Sequence, residues 1–245
     1  MSSKLPRVVA LFWVMKIAAT TLGETASDHL AHTLELGYAT TALILVVGFG
    51  ALLAWQLFSE KHRPFLFWSV ILATSILGTA LSDFMDRTLK LGYATGSAIL
   101  VVLLAAVFAY WKKSAGTLSV TDIRTRRDET LYWTAILISN TLGTALGDYL
   151  ADDSGLGFAG GAALIGGLLA LTLVLHFATR LSKVVLFWIA FVLTRPFGAT
   201  LGDVLTKKHA EGGLDLGTLQ ASGVLLAILI ASILYSQYRD KQLAT

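Results

Sequence analysis

Four times along the chain an aromatic-Trp pair is followed, fifteen residues after the Trp, by an Asp, and a Gly stands five residues before each Asp. The set is Trp13/Gly23/Asp28, Trp68/Gly78/Asp83, Trp133/Gly143/Asp148 and Trp188/Gly198/Asp203. Each unit lies inside a long apolar run, so a carboxylate recurs at an equivalent point of four hydrophobic helices. Placing an acid in such a helix costs at least about 2.5 kcal/mol on insertion scales, so the repetition asks for something that compensates it.

The solvent of these helices follows from composition. Hydrophobic residues make up 55% of the 245 residues and charged ones 14%, a balance foreign to water-soluble domains of this size. The apolar stretches are roughly 20 residues long, the length of a membrane-crossing helix, and the short alternating segments of a β-barrel are absent. The expected fold is therefore an all-α integral membrane protein with eight transmembrane helices, near residues 8–31, 36–58, 64–86, 91–111, 130–151, 155–179, 184–206 and 215–237. Lys16 interrupts the first apolar stretch and no convincing cleavage site follows, which favours a retained span over a signal peptide. With no cysteine there is no disulfide framework and no thiolate metal site, and the net charge of +3 is explained by topology without a nucleic-acid partner. Lys4, Arg7, Lys61, Arg63, Lys112, Lys113, Arg124, Arg126, Arg127, Arg180, Lys183, Arg239 and Lys241 cluster at the two termini and in the loops between repeats. Both termini are thus expected on the cytoplasmic side. Asp86, Asp152 and Asp153 fall in the opposite loops, although Arg87, Lys90, Lys207 and Lys208 weaken the contrast.

Each unit reads as a helical hairpin whose second helix opens with a recurring turn: Leu36-Gly37-Tyr38-Ala39, Leu91-Gly92-Tyr93-Ala94, Leu156-Gly157-Phe158-Ala159, and a shortened Leu216-Gly217 after a five-residue insertion. Repeats one and two, and repeats three and four, are offset by 55 positions, whereas two and three are offset by 65. This groups the chain into two pseudo-symmetric halves, residues 1–113 and 130–245, joined by a basic cytoplasmic linker at 114–129. Two spans per hairpin make all four repeats parallel.

Positions three, seven, eleven and fifteen after each Trp fall on one helical stripe. It reads Lys16, Thr20, Glu24, Asp28 in the first repeat and Ile71, Ser75, Thr79, Asp83 in the second. The third gives Ile136, Asn140, Thr144, Asp148, and the fourth Phe191, Arg195, Ala199, Asp203. Such a face is expected to line a shared interior, with the small residues Gly23/Ser27, Gly78/Ser82, Gly143/Gly147 and Gly198/Gly202 letting backbones approach. Five carboxylates against Lys16 and Arg195 leave the stripe with a formal charge of −3, which invites a cation or protons.

The expected cation site comprises Asp28, Asp83, Asp148, Asp203 and Glu24, with Thr79, Asn140 and Thr144 as neutral oxygen ligands. Lys16 and Arg195 break the repeat and are expected to act as internal counter-charges. The plainer readings are an Asp ring wetted from outside, since Asp lies about 22 Å beyond the Trp along a helix, and a structural ion pair that permits insertion. Pro196 can kink span seven to expose backbone or to pack. His29 and His32 lie near the outer mouth and suit metal capture or pH sensing. The four Trp residues read as anchors at the cytoplasmic interface.

The Trp together with the Gly-x-x-x-[Ser/Gly]-Asp pattern, as at Gly23 to Asp28, resembles a family of bacterial membrane proteins built from four tandem two-span repeats of unknown function. The resemblance covers nearly the whole chain, implies the architecture and a place in the bacterial inner membrane, and selects no substrate. The residues favour a secondary transporter, a proton-coupled exporter of a cation, and hard ions such as Mn²⁺, Mg²⁺ or Ca²⁺ match oxygen donors without thiolates. Alternatives are an exporter of organic cations, a passive channel filtered by the Asp ring, a non-transporting structural protein, and an intramembrane aspartyl enzyme, for which Ala145 and Thr200 replace the first Gly of the expected element. No enzymatic activity and no cofactor are expected, and without a nucleotide-binding loop the driving force is an ion gradient. The expected partners are the lipid bilayer, the transported cation and protons; the oligomeric state is left open, a homodimer included.

Overall fold

The computed structural model describes residues 5–33, 37–123 and 125–242, apart from the side chains of residues 32, 33, 37 and 38. The His32 side chain as a ligand, Lys4 and Arg124 in the topology argument, and Leu36 of the first Leu-Gly turn lie outside what is described. Among the described residues, eight long α-helices carry the fold: α1 (Ala10–Asp28), α2 (Gly37–Phe58), α3 (Pro64–Asp83), α4 (Tyr93–Ala115), α5 (Arg126–Asp148), α6 (Gly157–Ala178), α7 (Lys183–Thr206) and α8 (Thr218–Gln242). No strand occurs among the described residues. Six of the helices, all but α1 and α5, are long and apolar enough to cross a membrane. The chain is a multi-pass membrane protein. Lys16, Glu24 and Asp28 lower the hydropathy of α1, and Arg126, Arg127, Asp128 and Glu129 open α5.

Local signals account for the helix ends. Pro64 stands at the start of α3, where its missing N–H costs nothing, and the hydroxyl of Thr125 caps α5 by accepting from the Asp128 N–H at 3.1 Å. The Leu-Gly turn recurs because its Gly adopts a left-handed backbone, with φ of 73° at Gly92, 66° at Gly157 and 72° at Gly217. That requirement keeps the Gly in the fourth copy after the aromatic and Ala that follow it have gone.

The first helices of the four repeats form a closed ring, α1 against α3, α3 against α5, α5 against α7 and α7 against α1. The second helices pack outside it. Each lies chiefly against the first helix of the following repeat: α2 on α3, α4 on α5, α6 on α7, and α8 back on α1. The self-contained hairpin expected from sequence is therefore opened, because the apolar stripe of each outer helix finds its partner one repeat along.

The same one-repeat shift explains the aromatic-Trp pairs. Phe12 packs on Trp68 at 5.5 Å between ring centroids, Phe67 on Trp133 at 5.4 Å, Tyr132 on Trp188 at 6.2 Å, and Phe187 on Trp13 at 5.7 Å. Trp68, Trp133 and Trp188 are buried, and Trp13 is half-buried. The expectation of interfacial anchors is corrected: these rings knit one end of the bundle together, and the Trp188 indole N–H donates to the Leu118 carbonyl at 3.0 Å, pinning the linker to the same end.

Candidate functional site

The recurring Gly sets the spacing of the inner ring. A Cβ on Gly78 would lie 3.0 Å from the Asn140 main chain, on Gly23 it would lie 2.9 Å from the Ser75 carbonyl carbon, on Gly143 2.9 Å from Pro196 Cδ, and on Gly198 2.9 Å from the Thr20 carbonyl carbon. Each Gly thus receives the next helix at the stripe position seven residues after its Trp, or directly beside it, and the four polar stripes are pressed together around one axis. Every member is buried, Asp28 being the most accessible at 8%.

Along that axis the chemistry is layered. Next to the aromatic end, the Lys16 ammonium lies 4.2 Å from the centre of the Phe191 ring and donates to Asn140 Oδ1 at 3.3 Å. Asn140 Nδ2 donates in turn to Thr74 Oγ1 at 2.9 Å and Ser75 Oγ at 3.3 Å. One layer further, Arg195 is wholly buried and reaches across the ring. Its Nη2 donates to Glu24 Oε2 at 2.9 Å, to Thr144 Oγ1 at 2.6 Å and to Thr79 Oγ1, so a single guanidinium nitrogen ties α7 to α1, α3 and α5. Thr79 also donates to Glu24 Oε2 at 3.2 Å. The helix runs unbroken through Pro196.

Beyond this layer the four Asp residues face a cavity of about 460 Å³ that has Glu24 among its lining residues. Asp152, Glu211 and Phe158 also line it, as do two cations, Arg87 and Lys207. Arg87 bridges one pair of carboxylates, with Nε 3.0 Å from Asp83 Oδ1 and Nη2 3.6 Å from Asp148 Oδ2. Lys207 bridges the other, its Nζ 3.4 Å from Asp203 Oδ1 and 3.5 Å from Asp28 Oδ2. Burial works against the charge of Lys207, but Asp28, Asp203 and Glu24 outweigh it and hold the ammonium protonated well above the usual lysine range. Glu24, Asp28 and Asp203 each offer a carboxylate oxygen within 4.8 Å of the others, a separation that one metal ion can span.

A family model described as a Repeat of Unknown Function, DUF347, matches residues 11–62, 66–117, 131–182 and 186–242. The chain belongs to this family. Each matched DUF347 segment starts two residues before the Trp, so one repeat supplies one ring helix, one Asp and one outer helix. No curated protein and no solved structure matches the chain.

Seen on the DUF347 frame, the stripe residues divide into two groups. Glu24, Asp28, Asp83, Asp148 and Asp203 line the cavity, and the first, second and last of these converge on one point. Thr79, Asn140 and Thr144 instead hold Arg195 and Lys16 and are not among the lining residues. His29 turns away from the ring, its Nδ1 sharing a hydrogen bond with Thr218 Oγ1 at 3.1 Å. Asp86, assigned from sequence to an outer loop, is buried in a π-helical turn where Ser82 donates to it at 3.2 Å. Sequence reasoning missed Arg87 and Lys207 as site residues. The signal was present as Asp83-x-x-x-Arg87 and Asp203-x-x-x-Lys207, both at the spacing that brings opposite charges together on a helix.

The three-residue set is asymmetric for a backbone reason as well. In repeats one to three the Asp is followed by a π-helical turn (His29–Thr33, Phe84–Thr88, Tyr149–Asp153), a feature concentrated at functional sites. In the fourth, α7 ends at Thr206 and Lys207 has extended backbone (ψ 156°). The inserted segment then folds back, with Leu214 N–H donating to the Val204 carbonyl at 2.7 Å and Asp215 N–H to the Lys207 carbonyl at 3.0 Å. This fold-back carries Glu211 to the cavity wall.

Proposed function

We propose that this protein is a secondary transporter that exports a cation across the bacterial inner membrane in exchange for protons, with a hard divalent metal such as manganese as its cargo. The observation that carries the reading is the convergence of Glu24, Asp28 and Asp203 inside an acidic cavity, directly above a wholly buried Arg195 that is bonded to Glu24. Three carboxylates within one coordination sphere repel one another in low dielectric, and the repulsion is relieved by a divalent cation or by protons. Either relief excludes the other, which is the requirement for exchange. Arg195 is the counter-charge of Glu24 while the cation is away and is released when the carboxylates are loaded.

Access from one side only suits a transporter better than a channel. The cavity ends at Glu24 and the Arg195 layer, beyond which Lys16 and the aromatic rings fill the ring, so a passive cation path would have to pass two buried positive charges. We take all eight helices to cross the membrane. The two less apolar ones, α1 and α5, each pack against three membrane-spanning helices, α3, α7 and α8 for α1 and α3, α4 and α7 for α5, and their polar faces meet protein in place of lipid. The positive residues at the aromatic end support a cytoplasmic location for that end and both termini, and with it an acidic cavity that opens outward.

The test is Mn²⁺ and proton flux in proteoliposomes. Wild type exchanges the two ions, and a folded Asp28→Asn/Glu24→Gln variant loses the exchange; flux unchanged in that variant refutes the proposal. An organic cation is the second reading, favoured by a cavity far larger than a bare ion, and metal-independent saturable uptake of such a compound selects it.

A further inference from the structure

We propose that Lys207 is a tethered competitor for the transported cation, an ammonium that occupies the Asp28–Asp203 pair and must be displaced before those carboxylates can coordinate cargo. The inference rests on the transport reading above and extends it to how the site is loaded and emptied. Lys207 Nζ lies 3.5 Å from Asp28 Oδ2 and 3.4 Å from Asp203 Oδ1, on two of the three acids that converge within 4.8 Å. A hard divalent ion binds carboxylate oxygens at about 2.0–2.6 Å. It therefore needs the oxygens that the ammonium holds, and the two cations cannot share them at contact distance without strong repulsion.

The local backbone favours a moving side chain on a fixed base. The Lys207 N–H donates to the Asp203 carbonyl at 2.8 Å and its own carbonyl accepts from Asp215, so the main chain is held at both sides. The side chain is one-third exposed, carries a flexible four-carbon stem, and has a further acid, Glu211, on the wall of the same cavity to receive it.

Pseudo-symmetry supplies an internal comparison. Arg87 stands in repeat two where Lys207 stands in repeat four, nineteen residues after the Trp, and bridges Asp83 and Asp148 in the same way. At that pair the stripe position one turn inward is Thr79 or Thr144, whereas the Lys207 pair has Glu24. The pair lacking a third carboxylate is held by a planar guanidinium that engages two acids through two nitrogens. The pair able to complete a metal site is held by a single-point ammonium, the more readily released of the two.

The experiment is a Mn²⁺ titration of the full-length, detergent-purified protein, read by thermal stability and calorimetry, for wild type, Lys207→Gln and Lys207→Arg. Removing a unit positive charge about 4 Å from the site is expected to lower the half-saturating Mn²⁺ concentration at least tenfold in Lys207→Gln. Lys207→Arg, which keeps the charge and serves if the Gln variant does not fold, is expected to raise it. Unchanged or weaker binding in Lys207→Gln, or tighter binding in Lys207→Arg, overturns the inference while leaving the transport reading in place. No Mn²⁺ response in any of the three proteins, together with absent flux in wild type, overturns the transport reading and this inference with it.

Discussion

The approach of α3 to the main chain of α5 offers the most direct physical test of the ring, the substitution Gly78→Ala. The added methyl would lie 3.0 Å from the carbonyl carbon of Asn140, 3.0 Å from its Cβ and 3.0 Å from the Thr141 nitrogen. These belong to the α5 main chain or sit directly on it, so no rotamer change relieves the overlap and α3 and α5 must separate by a few tenths of an ångström. Overpacking of this kind costs about 1–3 kcal/mol, whereas Ala in place of Gly favours a helix by about 1 kcal/mol. Gly48→Ala isolates the second effect, since nothing lies within 4 Å of the Cβ it would add on the outer helix α2. The difference between the two variants is then the cost of the contact alone, about 1–3 kcal/mol. For a chain of this size that separates their melting temperatures by about 2–12 °C, with Gly78→Ala the lower. Melting curves of the purified variants in one detergent give the answer, and equal melting temperatures would refute the ring as the reason the Gly recurs. Gly143→Ala, whose Cβ would meet Arg195 Cβ at 2.5 Å, is expected to lose more than Gly78→Ala.

Two further tests address charge and topology. Arg195→Met strands the buried Glu24 carboxylate without its cation and should destabilise the protein by about 3–5 kcal/mol; adding Glu24→Gln should recover most of that loss, and a double variant no more stable than the single one would argue against the ion pair. Because the chain has no native cysteine, Lys113→Cys and Asp153→Cys each introduce a single thiol, at the aromatic and the acidic end respectively. An impermeant thiol reagent applied to intact cells should label the second and spare the first, and the reverse pattern would invert the assigned orientation.

How much of the site could be read in advance depends on whether it lies within one helix or between helices. The stripe Lys16, Thr20, Glu24, Asp28 and its counterparts was legible because a 3.6-residue period fixes which side chains share a face, and the cost of exposing such a face to lipid fixes that it turns inward. Arg195 and Glu24 were each visible as departures from the repeat, but 171 residues separate them, and only closure of the ring brings the last repeat against the first. Lys207 was obscured by the insertion that follows it, which made the segment read as an outer loop. The four Trp residues misled for a related reason: an aromatic near a span end has the same pattern whether it meets lipid headgroups or the next helix, and here it meets the next helix.

The sequence by itself determined the helices, the fourfold repetition, the Gly that permits close approach and the carboxylate fifteen residues after each Trp, because helix periodicity and the cost of polar groups in lipid act along a single chain segment. Only the tertiary structure decided that each outer helix serves the neighbouring repeat, that Arg195 spans the ring, and that Glu24 converges with Asp28 and Asp203. Those outcomes depend on which copy of a repeated surface meets which. The repeats are nearly interchangeable by local sequence, so the choice rests on the order in which the ring closes and on the few residues, Lys16, Glu24, Arg195 and Lys207, that make one junction unlike the other three.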